Sequence, residues 1–92
     1  MKVIWSDLAK EQHEDIFNFA SRNSELYAER LVNRLVSRAD MLGDFPEIGH
    51  FNPKLRHLEV RELVEAPYRI LYRLERGNIE IIGVAHGARD GL

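Results

Sequence analysis

The sequence predicts a small α+β domain: an N-terminal strand, an αα-hairpin, then a three-stranded antiparallel meander packed against the helices. Three observations carry this. A wide apolar stripe runs at helical spacing through residues 28–42, two alternating apolar runs flank the turn "ERGN" near the C-terminus, and "VIW" stands just before a helix-capping serine.

Val3, Ile4 and Trp5 are β-branched, β-branched and aromatic, the composition of a short strand. Ser6 can cap a helix, with Asp7 favourable in its first turn. Leu8, Gln12, Ile16 and Phe19 then recur at helical spacing beside Ala9 and Ala20. "SRNSE" interrupts that pattern, and Ser24 can cap a second helix. Ala28, Leu31, Val32, Leu35, Val36, Ala39 and Leu42 form its stripe, which Gly43 and then Pro46 bring to an end. The segment "DFPEIGHFNPK" reads as loop. A weakly alternating strand is expected over residues 58–63, followed by strong strands over 68–74 and 79–85.

With an even number of residues in the last hairpin loop, Tyr68, Ile70, Tyr72, Leu74, Ile79, Ile81, Gly83 and Ala85 share one sheet face, which the helices cover. Arg69, Leu71, Arg73, Glu80, Ile82, Val84 and His86 share the other. That second face mixes arginines, a histidine and aliphatics, an odd surface to leave in water.

Ninety-two residues with 45% hydrophobic and 30% charged content make one ordinary globular domain. The net charge of −2 argues against a surface built wholly for nucleic acid. The absence of cysteine excludes disulfides and thiolate chemistry. No signal peptide or membrane span is visible, so a cytoplasmic location is expected. Histidines 13, 50, 57 and 86 show no HxxxH or HExxH spacing, and there is no glycine-rich phosphate loop, so neither metal nor cofactor is expected.

Three sets of polar residues are candidates for function. His86, Arg89 and Asp90 follow the last strand, as a general base and a phosphate binder would, or as a strand-end cap with one ion pair. Arg69 and Arg73 stand on one strand face, as a clamp for phosphate or carboxylate; for Arg73 the competing explanation is a cross-strand pair with Glu80. Arg30, Arg34 and Arg38 step along the second helix at i, i+4 and i+8, an acidic partner's landing stripe or a solvated face.

The motifs "FPEIGH", "YRILYRL" and "IEIIGVAHGARD", in a β-α-α-β-β-β chain of this length, resemble the ParE/RelE superfamily of bacterial type II toxins. The resemblance covers nearly the whole chain. It implies a toxin held inactive by a cognate antitoxin, whose extended segment wraps the helical hairpin and the sheet edge. It also implies one of two activities, poisoning of DNA gyrase or cleavage of messenger RNA on the ribosome. Arg69 matches the arginine of the family's "YR" strand, and Arg89 the arginine after the last strand. If the chain were a nuclease, Arg69, His86 and Arg89 would be its catalytic set. However, Val60 and Glu62 stand near the positions of the nuclease's strand lysines, and no tyrosine follows Asp90. The "HGARD" ending looks more like ParE, so the expectation is a gyrase-inhibiting interaction protein rather than an enzyme or a direct nucleic-acid binder. Its partner-binding residues would be Arg30, Arg34, Arg38, Arg69, Arg73 and Arg89. A degenerate member that binds its antitoxin without toxicity is the other alternative.

Overall fold

The computed structural model describes residues 1–87. Strand β1 (Val3–Trp5) leads to helices α1 (Asp7–Ala20) and α2 (Glu25–Asp40); β2 (His50–Phe51), β3 (Arg61–Glu65), β4 (Tyr68–Glu75) and β5 (Asn78–His86) follow. The strands form one mixed sheet in the order β1-β5-β4-β3-β2, with β1 parallel to β5 and the other pairs antiparallel. The α+β class, the helical hairpin and the meander are as the sequence predicts.

The two serines cap as expected. Ser6 Oγ accepts the Ala9 N–H at 3.0 Å and Ser24 Oγ accepts the Tyr27 N–H at 3.1 Å. Each occupies the position where a helix leaves amide hydrogens without intrahelical partners. The stripe of α2 packs Ala28, Leu31, Leu35 and Ala39 against Ile70, Tyr72, Ile79 and Ile81 of the sheet, all buried.

Tyr72, with no exposed surface, explains "FPEIGH". Its hydroxyl accepts the Gly49 N–H at 2.9 Å and donates to the Pro46 carbonyl at 2.9 Å, satisfying a buried polar group with loop backbone. A Cβ on Gly49 would lie 2.7 Å from that hydroxyl and from the Glu62 carbonyl. Only glycine lets the loop approach so closely.

Three expectations need correction. The loop after α2 contains β2, whose two residues pair with Arg61 and Glu62; the Arg56 and Arg61 guanidinium groups lie 4.3 and 4.0 Å from the Phe51 ring centre. The strand expected at 58–63 starts at Arg61, because Arg56–Leu58 forms a 3-10 turn that ends at Glu59 in the left-handed region (φ 59°).

The third correction concerns the sheet faces. The hairpin loop is even-numbered, Arg76 and Gly77 with φ of 52° and 79°, as a type I′ turn requires. The register nonetheless shifts further along: Tyr72 pairs with Ile81 but Leu71 with Gly83, so Ile82 is skipped in a β-bulge. Beyond it the faces exchange. Val84 joins the helix-side core, and His86 pairs with Tyr68, their rings edge-to-face at 5.4 Å. Ala85 turns to the outer face, where it clusters with Val60 and Leu71 under Leu55 and Ile82. The aliphatics of that face are thus covered by the segment between β2 and β3. Leu74, expected under the helices, lies near the strand end and is 43% exposed.

Candidate functional site: the outer sheet face

The polar centre of the outer face is Glu62 on β3. One of its oxygens lies 2.8 Å from His50 Nε2; the other accepts from Asn52 Nδ2 and from Arg69 Nη1, each at 3.0 Å. A carboxylate only accepts, so His50 Nε2 carries the hydrogen in that contact. The side chains of Arg69 and Glu62 are 10% and 9% exposed, which makes this a buried ion pair. Asn52, fully buried, also accepts the amide hydrogens of Lys54 and Leu55 on its side-chain oxygen. The cluster therefore ties β2, the following loop, β3 and β4 together.

Burial pushes the Glu62 carboxyl up, but the hydrogen bonds from Asn52 and His50 and the charge of Arg69 outweigh it. Its pKa lies below the ordinary 4.5. A carboxylate with a depressed folded-state pKa contributes stability that is fully present above 4.5 and is lost as pH falls through the folded value. The melting temperature of the native protein should therefore drop more steeply on acidification below pH 4.5 than that of Glu62→Gln. Thermal melts of both from pH 7 to 2.5 check this, at roughly half-unit steps. Parallel curves would show that Glu62 is not held ionised.

The other arginines are largely engaged within the chain. Arg34 Nε and Arg38 Nε lie 2.9 and 3.0 Å from the two oxygens of Glu65, so two members of the α2 stripe share one acid on β3. Arg30 is exposed and has no ion pair among the described residues. Arg73 lies 3.1 Å from Glu75 and 3.5 Å from Glu80, the cross-strand pairing that the sequence offers for it. The bulge leaves Arg69 and His86 on opposite sheet faces. Arg89 and Asp90 lie outside the described residues. Among the described residues, no three His, Cys, Asp or Glu side chains are placed to hold a metal ion, and no helix is long and apolar enough to cross a membrane.

Sequence reasoning noted Glu62 only as a departure from a lysine and passed over His50 and Asn52. The available signal was an acid on a strand adjoining the one that bears Arg69, with polar residues flanking the loop proline.

A family model, that of the ParE toxin of type II toxin-antitoxin systems (parDE), matches residues 3–91. The chain belongs to the ParE toxin family. Toxin RelE2 of Caulobacter vibrioides is 34% identical over 89 residues, covering 96% of this chain and 97% of the relative. A solved structure of a chromosomal ParDE toxin–antitoxin system from P. aeruginosa superposes with a TM-score of 0.80. It covers 94% of this chain and 95% of that one at 20% identity, a likeness of fold. The chain is thus the toxin component of a type II toxin–antitoxin system, and the family pairs it with a cognate antitoxin.

Proposed function

We propose that this ParE-family toxin inhibits DNA gyrase by binding, performs no chemistry of its own, and is neutralised by its antitoxin in the cytoplasm. The carrying observation is the Glu62–Arg69 pair. Cleavage of a phosphodiester needs concentrated positive charge around a dianionic transition state. Here the buried guanidinium on the outer face already faces a carboxylate 3.0 Å away, and its neighbour Val60 is apolar and buried. That surface is close to electroneutral. The separation of His86 from Arg69 by the sheet removes the natural acid–base companion of a phosphate-binding arginine. The printed name of the Caulobacter relative, RelE2, keeps a second reading in play, ribosome-dependent cleavage of messenger RNA.

Two assays separate these readings. Purified toxin should inhibit gyrase supercoiling or trap gyrase on cleaved DNA, and expression in bacteria should halt replication while messenger RNA stays intact. His86→Ala should leave the gyrase effect largely in place. Codon-phased cuts on translating ribosomes that disappear in His86→Ala or Arg69→Ala would establish the nuclease instead.

A further inference from the structure

We propose that the free edge of β1 is the docking groove for an extended, acidic segment of the antitoxin, which adds there as a sixth strand. This rests on the neutralisation by an antitoxin proposed above. The sheet order leaves one side of β1 unpaired. Its register with β5, with Ile79 N–H donating to the Lys2 carbonyl and Ser6 N–H to that of Ile81, turns the backbone groups of Val3 and Trp5 away from the sheet. Donors and acceptors in that arrangement accept another strand.

The edge is also shaped and charged for a partner. A groove of about 580 Å³ runs beside it, lined by Ile4, Trp5, His13 and Val36, with Lys2 and Lys10 among its walls. Trp5 is steadied by the His13 ring, edge-to-face at 5.3 Å, and His13 Nε2 lies 3.1 Å from the Val32 carbonyl on α2, so the floor is a fixed part of the fold. Ile4 is 43% exposed on the strand, an apolar contact for alternate residues of an added strand.

Charge selects the occupant. Neither Lys2 nor Lys10 has an ion-pair partner among the described residues, although Asp7 and Glu14 stand near Lys10 in sequence. The arginines of α2 differ, since two of the three already share Glu65. An acidic segment is therefore drawn to the β1 edge rather than to the α2 stripe. A second copy of this chain would crowd four lysines into one groove, which like-charge repulsion opposes.

The test uses the full-length toxin co-expressed with the protein encoded by the adjoining gene and purified as the complex. Amide hydrogen exchange is measured for Val3 and Trp5 in free and complexed toxin. The expected result is at least about a hundredfold slowing of both amides in the complex, with a shift in Trp5 emission. Lys2→Glu/Lys10→Glu should weaken the complex about tenfold or more and flatten its dependence on salt. A complex that forms while both amides exchange as in the free toxin overturns the β1 site and leaves neutralisation by the antitoxin standing. Protection that appears in the toxin alone as its concentration rises identifies a second copy as the occupant, and also overturns it. Failure of the two proteins to bind defeats the neutralisation reading itself, and the β1 site with it.

Discussion

Leu35→Asp should abolish the cooperative thermal transition. Leu35 has no exposed surface and lies in the stripe that joins α2 to Ile70, Tyr72 and Ile81. Removing a buried leucine side chain costs about 2–5 kcal/mol. Placing an unpaired carboxylate there costs several kcal/mol more, whether it stays ionised or takes up a proton. A domain has only about 5–15 kcal/mol in total. Leu35→Met, which conserves volume, should cost less than about 1.5 kcal/mol and serves as the control. Circular dichroism melts decide the matter. An aspartate variant melting within about 3 °C of the native protein would mean that α2 does not pack on the sheet through this face.

The helical part of this argument was legible in the sequence because helix periodicity and capping are local. Ser6, Ser24, the stripe from Ala28 to Leu42 and Gly43 each act within a few residues of themselves. The sheet was less legible where its geometry is set at a distance. The alternation of β4 and β5 is faithful up to Ile81, and one skipped residue then sends Val84 to the core and Ala85 to the outer face. The only local trace of that bulge is Gly83, a glycine inside a strand pattern. A Cβ there would lie 3.2 Å from Gln12 Oε1, the atom that accepts the Val84 N–H at 2.8 Å. The contact is made across 72 positions of sequence, which no window along the chain reveals. Strand β2 is equally non-local, since its two residues hold their place through Arg61 and Glu62 rather than through any propensity of their own.

The polar site follows the same logic and gives the second large effect. Glu62→Ala should destabilise the domain by about 3–5 kcal/mol, the usual result of removing one partner from a buried ion pair. Among the described residues Glu62 is the only carboxylate paired with Arg69, whose Nε and Nη2 are buried without hydrogen-bond partners. The alanine variant would leave that guanidinium charged and wholly unanswered, and would also strip Asn52 of an acceptor. The double variant Glu62→Leu/Arg69→Met should recover most of the loss, because neither charge is then stranded and the outer face already contains Val60, Leu71 and Ala85. Denaturant unfolding of the single and double variants measures this directly. If the two substitutions destabilise additively, the pair is not coupled, and the electroneutral face on which the gyrase reading depends loses its physical basis. If the double variant is stable, its activity separates structure from function. Inhibition of gyrase that survives loss of both charges would assign the Arg69–Glu62 pair to the fold and place the target contact elsewhere on the toxin.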